Sequence, residues 1–168
     1  TAGGTHHAHA DYASGYCLIN DLAVAAATLL AHQWVNRVLI VDLDVHQGDG
    51  TARLFANEPR VFTFSMHAAR NFPARKAISD LDVELDAGVG DAAYLQQLQY
   101  WLPEAIQRAQ PDLVIYDAGV DVHANDRLGL LSLTDAGLEA RDHYVLQSIR
   151  AQGIALAGVI GGGYDRDI

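Results

Sequence analysis

Asp42, Asp44 and His46 occupy alternate positions in the run Val38-Leu-Ile-Val-Asp-Leu-Asp-Val-His46, with Gln47-Gly-Asp-Gly50 directly behind. Side chains alternate faces along a strand, so all three leave on one side if the extended backbone persists that far. Two carboxylates and an imidazole delivered where an apolar run gives way to glycine suit a divalent cation. The competing reading is a solvated strand end whose acids cap the following helix. Catalytic zinc takes three protein ligands and keeps a fourth position open, whereas structural zinc is closed by four, usually with several cysteines. Cys17 is the single cysteine of the chain, which disfavours the closed kind. Asp121 follows a different apolar run and completes a ligand set of Asp44, His46 and Asp121. A set so rich in carboxylate admits iron, manganese or cobalt as well as zinc.

A water on such an ion has its pKa drawn toward about 7 and still gains from a base that takes its proton. His6 and His7, adjacent in the glycine-rich opening Thr1-Ala-Gly-Gly-Thr-His-His-Ala8, are the only plausible pair. The alternative of a tag remnant or flexible end fits less well, because tags carry longer histidine runs. A catalytic imidazole commonly needs a carboxylate to fix its tautomer and stabilise its charged form. Asp42 and Asp49 are free for that once Asp44 is on the metal, which makes two dyads. Tyr164, behind Gly161-Gly-Gly163, offers a phenol that can donate to a carbonyl oxygen becoming an oxyanion; an ordinary surface tyrosine is its competing reading.

The elements that must position these residues alternate. Asn20 or Asp21 caps an alanine-rich helix running to about Trp34, apolar nearly all round and so predicted to be buried against a sheet. A buried parallel strand over 37–42, a helix from Gly48 to about Phe55, and a strand over 61–65 ending in Met66-His67 follow. Residues 68–79 read as a loop, 81–85 as an edge strand, and 94–102 as a helix with a kink or restart at Pro103. A strand over 112–116, a loop over 122–133, a Thr134-capped helix to about Gln152 bearing Arg141 and Arg150, and a last buried strand over 154–160 complete the series. The alternation predicts an α/β fold, three layers with a mainly parallel sheet, whose ligands lie beyond the carboxyl ends of the strands. Asp44 and His46, Ser65 and His67, Asp117 and Asp121, and Tyr164 all fall there.

The 168 residues, half of them hydrophobic, fit one domain. Eleven basic against 21 acidic residues give a net charge of -10, which disfavours nucleic-acid backbones and anionic membranes and favours cationic amines. No run approaches membrane-spanning length, and one cysteine without a secretory h-region fits a reducing cytoplasm. Composition leaves the oligomeric state open. A chain opening on Thr1 and closing just after a glycine cluster is expected to be part of a longer protein.

The phrases Gly3-Gly-Thr-His-His-Ala8, Gly15-Tyr-Cys-Leu-Ile-Asn-Asp21, Asp42-Leu-Asp-Val-His-Gln-Gly-Asp-Gly50, Asp117-Ala-Gly-Val-Asp121 with Asp126-Arg-Leu-Gly129, and Gly161-Gly-Gly-Tyr164 resemble the histone deacetylase family. They run in the family's order over almost the whole chain, and Gln47 and Asp126-Arg-Leu-Gly129 are similar to its class IV group and bacterial relatives. The resemblance implies an arginase-deacetylase fold truncated at both ends, a single catalytic core, and a zinc-dependent amide hydrolase acting on acylated lysine or on small acetylated amines such as polyamines. It places zinc on Asp44, His46 and Asp121. His6 facing Asp42 becomes an electrostatic residue, His7 facing Asp49 the general base and acid, and Tyr164 the residue polarising the carbonyl. Gly15, Tyr16 and Phe72 match the acyl-lysine channel, where Tyr16 stands in place of the usual phenylalanine. A structural potassium ion is implied at Asp42, Asp44, His46, Ser65 and Met66, and an outer monovalent site at Phe55, Glu58 and Val61. Weighed beside this are an inactive fragment or acetyl-ligand-binding module, a manganese ureohydrolase on the related fold, and a nucleotide-binding reading of Gly161–Gly163.

Overall fold

The apolar runs around residues 40, 64 and 115 are rich in β-branched and aromatic side chains and apolar on both faces, a composition that is stable only as covered parallel strands. In a computed structural model that describes residues 3–165 they form the middle of a sheet. The first two residues of the predicted opening loop and the last three residues lie outside the described ones. The elements follow as α1 (Asp21–Ala31), β1 (Val38–Asp42), α2 (Asp49–Leu54), β2 (Val61–Ala68), β3 (Leu81–Leu85), α3 (Asp91–Ala109), β4 (Leu113–Asp117), α4 (Asp135–Arg150) and β5 (Ala155–Val159). The sheet has five strands in the order β3-β2-β1-β4-β5, and every pairing is parallel.

Strand alternation sorts the core into two layers. Val38, Ile40, Val61 and Ile115 face α1 and pack on Leu22, Ala23, Ala26 and Leu30. Leu39, Val41, Phe64, Met66, Val114 and Tyr116 face the other way, onto Tyr94, Leu98 and Leu102 of α3 and Val145 and Ile149 of α4. The register then does something the separate strands do not reveal: Asp42 pairs with Ser65 on one side and with Asp117 on the other. Three polar residues stand abreast, at the carboxyl ends of β1 and β4 and within β2.

Four expectations need correction. The helix α1 is buried along one stripe only, with Val24, Ala25, Ala27 and Thr28 exposed; small alanines make a helix look apolar all round while only one stripe meets the sheet. It also stops at Ala31 rather than near Trp34. The helix α3 runs unbroken through Pro103. Proline at that position deprives the Gln99 carbonyl of its helical donor, and the Tyr144 hydroxyl of α4 donates to that carbonyl at 3.4 Å instead. Finally, β5 is half exposed and lies at the sheet edge rather than buried within it. Among the described residues no helix is long and apolar enough to cross a membrane.

Candidate active site and metal centre

The strand β1 ends at Asp42, so alternation along an extended chain does not bring Asp44 and His46 together; a series of bends beyond the strand does. His46 Nδ1 lies 3.0 Å from Asp44 Oδ1 and 3.1 Å from Asp121 Oδ2. Backbone donors fix both acids. Asp44 accepts the His46 N–H and the Gly162 N–H, each at 2.8 Å, and Asp121 accepts the Val45 N–H at 2.8 Å. Position 162 must be glycine, because a Cβ there would run into the carboxylates of both Asp121 and Asp44.

One ligand-type atom from each of Asp44, His46 and Asp121 lies within 4.8 Å of the others. Burial and the charge of Asp44 push Asp121 up to about 7. Burial works against a charge on His46, yet bonds to Asp121 and Asp44 outweigh it and raise the imidazole to about 9. A cluster that clings to a proton in this way has donors suited to a cation, and its mixed nitrogen and oxygen set fits zinc and the neighbouring divalent metals.

The loop carrying His6 and His7 is gripped by the start of α1. The Asp21 carboxylate takes the Gly4 and Thr5 N–H groups at 3.1 and 2.7 Å, and Thr51 donates its N–H to the His6 carbonyl at 3.0 Å. Asn20, besides accepting from Ala23 as the N-cap, donates to Thr51 Oγ1 at 2.9 Å. His6 Nδ1 is 2.7 Å from Asp42 Oδ2, and its Nε2 is 3.7 Å from Asp44 Oδ1. Burial opposes a charge on His6, but Asp42 and Asp44 hold it well above the ordinary histidine range. His7 Nδ1 is 2.8 Å from Asp49 Oδ1, and the other oxygen of Asp49 lies 3.1 Å from His9 Nε2. For His7 burial prevails: helped by neighbouring His6 and only partly opposed by Asp49, it holds the ring below 6.5.

His7, His46 and Tyr164 open into a cavity of about 260 Å³ that Gly15, Tyr16 and Phe72 also line. Phe72 stands edge-on to His7 with centroids 4.8 Å apart. Gly15 has φ of 52° and leaves no room for a Cβ against the His7 ring, so glycine is required twice over. Tyr16 is 85% exposed and forms the outer lip rather than an enclosed wall. Burial and the charges of Asp44 and Asp121 raise the Tyr164 phenol, which therefore stays protonated.

The structure adds residues to which the sequence reading gave no role at the site. Asp126 accepts the Tyr164 N–H at 2.6 Å and Arg127 donates to the Tyr164 carbonyl at 2.8 Å. Asn71 lines the cavity and donates to the Leu128 carbonyl at 2.8 Å, tying the Phe72 loop to the opposite wall. Asp117 is fully buried, 3.9 Å from His6 Nδ1, and neither of its oxygens has a hydrogen-bond partner among the described residues. Burial and the neighbouring acids raise it far above the carboxylate range, so it is a neutral acid. Its signal was in the sequence: two apolar runs each end in aspartate, and parallel pairing sets those aspartates side by side. Ser65, beside Asp42 in register, lies 3.0 Å from His67 Nδ1, and Met66 is fully buried. The Phe55 and Glu58 carbonyls accept turn bonds from Glu58 and Val61 N–H groups at 2.9 and 3.0 Å.

Comparison with known proteins places this geometry in context. A family model described as the histone deacetylase domain matches residues 1–168. An uncharacterised protein of Picosynechococcus sp. is 54% identical over 168 residues, all of this chain and 56% of that protein. Histone deacetylase 2 of Arabidopsis thaliana is 35% identical, covering 96% of this chain and 43% of its own. Histone deacetylase clr6 of Schizosaccharomyces pombe is 34% identical over 97% of this chain and 42% of its own. The crystal structure of the HDA15 HD domain superposes with a TM-score of 0.81 at 31% identity, covering 98% of this chain and 50% of that one. The chain thus spans about half the length of these relatives.

Proposed function

Because the chain belongs to the histone deacetylase family and has its arginase-deacetylase fold, we propose that the protein hydrolyses the amide of an acylated amine on an alkyl stem, acetyl-lysine foremost. The observation that carries this is the placement of a neutral, carboxylate-bound imidazole, His7, and a protonated phenol, Tyr164, in one cavity with the Asp44–His46–Asp121 cluster. A divalent ion held by those three residues, zinc by preference and iron, manganese or cobalt otherwise, would polarise the substrate carbonyl and acidify a water.

Asp49 occupies Nδ1 of His7 and leaves Nε2 free to act. That nitrogen takes a proton from the attacking water as the carbon–oxygen bond forms, and returns it to the amine nitrogen as the carbon–nitrogen bond breaks. The products are a carboxylate and a free amine. Tyr164 donates its hydroxyl to the carbonyl oxygen as charge builds there. His6, held charged by Asp42, stays beside the cluster as an electrostatic partner. Gly15, Tyr16 and Phe72 would hold the alkyl stem, with the Tyr16 hydroxyl at the mouth free to meet a polar group. The abreast pair Asp42 and Ser65, with Asp44, His46 and Met66, supports a buried monovalent cation below the site, potassium being the natural candidate; Phe55, Glu58 and Val61 would hold a second, outer one. The net charge of -10 favours lysine-rich tails or acetylated polyamines as substrates.

The test is carboxylate release by the full-length, metal-loaded protein from a panel of acetyl-lysine peptides, longer acyl-lysines and acetylated diamines. Hydrolysis of at least one class is expected. A folded, metal-replete protein that cleaves none of them would overturn the assignment.

A further inference from the structure

Arg141 is among the largest completely buried side chains of the protein, and the reaction outlined above does not use it. It lies midway along α4, in the helix layer behind the sheet, and its guanidinium reaches forward to the backbone beneath the site. Nη1 donates to the Gly119 carbonyl at 2.6 Å and to the Leu43 carbonyl at 3.3 Å, and Nη2 to the Ala118 carbonyl at 3.4 Å. Leu43 immediately precedes Asp44, and Gly119 is two residues before Asp121. One planar group therefore joins the two turns that carry the ligand set. On its other side Nε donates to Asp142 Oδ1 at 2.8 Å, an oxygen that also accepts from the Tyr116 hydroxyl at 2.6 Å. The helix is anchored in turn, since Asp91 of α3 accepts the N–H and hydroxyl of its cap Thr134 at 2.9 and 2.7 Å.

A buried cation is a poor choice for stability alone. Removing a charge from water is costly, and apolar replacements of similar volume are often neutral or better. Its distinguishing property is geometric: guanidinium presents five donors in a fixed fork, whereas lysine offers a single flexible point. Here the fork bridges two chain segments that leave adjacent strands past Asp42 and Asp117, where the ladder of β1 and β4 ends, and that pack so closely that a Cβ on Gly119 would meet the Asp44 backbone. The Leu43 N–H to Asp117 carbonyl bond at 3.0 Å is the next backbone link, and beyond it the Arg141 fork joins the two segments alongside the Val45 N–H to Asp121 bond at 2.8 Å.

We propose that Arg141 is a positioning residue for the metal centre, its guanidinium setting the separation of the Asp44–His46 turn from the Asp121 turn. This rests on reading Asp44, His46 and Asp121 as metal ligands, and it predicts a dependence of metal affinity on a residue that touches neither ligand side chain nor substrate. Supporting groups around a metal site typically account for roughly 10–100-fold in affinity.

The experiment uses full-length protein loaded with Co²⁺. It reads the Co²⁺ dissociation constant by chelator competition, the visible ligand-field bands of the bound ion, and thermal stability. Arg141→Lys, which keeps the charge and loses the fork, is expected to fold, to weaken Co²⁺ by roughly 10–100-fold and to shift the bands. Asp142→Asn, which leaves the guanidinium but loosens its anchor, is expected to give a smaller change in the same direction, and decides the matter should the Arg141 variants not fold. Ile149→Val, on the same helix, is expected to lower stability with an unchanged dissociation constant and spectrum. Variants of Arg141 and Asp142 that lose stability but bind Co²⁺ with the wild-type constant and bands would overturn the proposal, leaving Arg141 as packing. A wild-type protein that binds no Co²⁺ would overturn the metal site and this proposal together. Tight binding without amide hydrolysis would overturn only the substrate reading.

Discussion

His6 and His7 are neighbours in the chain, their rings 4.1 Å apart, and each has its Nδ1 on an aspartate at 2.7 or 2.8 Å. Their surroundings nevertheless drive them in opposite directions. His6 points down among Asp42, Asp44 and the neutral acid Asp117, and the charges of Asp42 and Asp44 overcome the cost of burial and keep it protonated. His7 points into the cavity beside Phe72, where burial and the neighbouring His6 charge prevail over Asp49, a carboxylate it shares with His9, and over the weaker pull of Asp44. The same side chain with the same kind of partner is held charged in one place and neutral in the other. Residue type and pairing do not fix the protonation state; the balance of burial against nearby charge does.

This contrast can be broken or sharpened by substitution. His7→Asn is expected to cost the most, roughly 10²–10⁴-fold in kcat, with metal content unchanged; loss of metal along with activity would show instead that His7 is structural. Tyr164→Phe comes next, with about 10²–10³-fold lost from kcat and little change in KM, and a variant of undiminished kcat would remove the phenol from the reaction. The pH profile follows. His7 must be unprotonated to act, so kcat/KM should fall as pH drops through a value below 6.5. Asp49 favours the charged form, so Asp49→Asn should move that limb to still lower pH while lowering the plateau; a limb moving upward would contradict the dyad. Smallest is Asp117→Asn. A neutral acid replaced by a neutral amide of the same shape should leave kcat/KM within a few-fold, and a large loss would mean that Asp117 carries a charge that His6 depends on.

Much of the layout was legible before any coordinates. The alternation of β-branched runs with helices implied the parallel sheet, and the aspartates, histidines and tyrosine that follow separate runs implied a common rim at the carboxyl ends of the strands. The type of each chemical residue carried its own reasoning, as with Asp44, His46 and Tyr164. What escaped were properties that depend on register and on contacts across layers. Nothing local to Asp117 tells that it stands beside Asp42; only the alignment of β1 with β4 does so. The Asp126–Arg127 clamp on Tyr164 and the Asn71 bridge to Leu128 join loops far apart in sequence. Exposure was misjudged for α1 and β5 for a related reason: apolarity shows that a face could be covered, not that something covers it.

The contrast between the two imidazoles is measured most directly by histidine ¹⁵N NMR of the full-length, metal-free protein across a pH titration. The His7 ring is expected to be neutral at pH 7 and to gain its proton only below pH 6.5, while the His6 ring is expected to remain protonated above neutrality. Two rings titrating together near 6.5, or His7 found charged at pH 7 with His6 neutral, would contradict it.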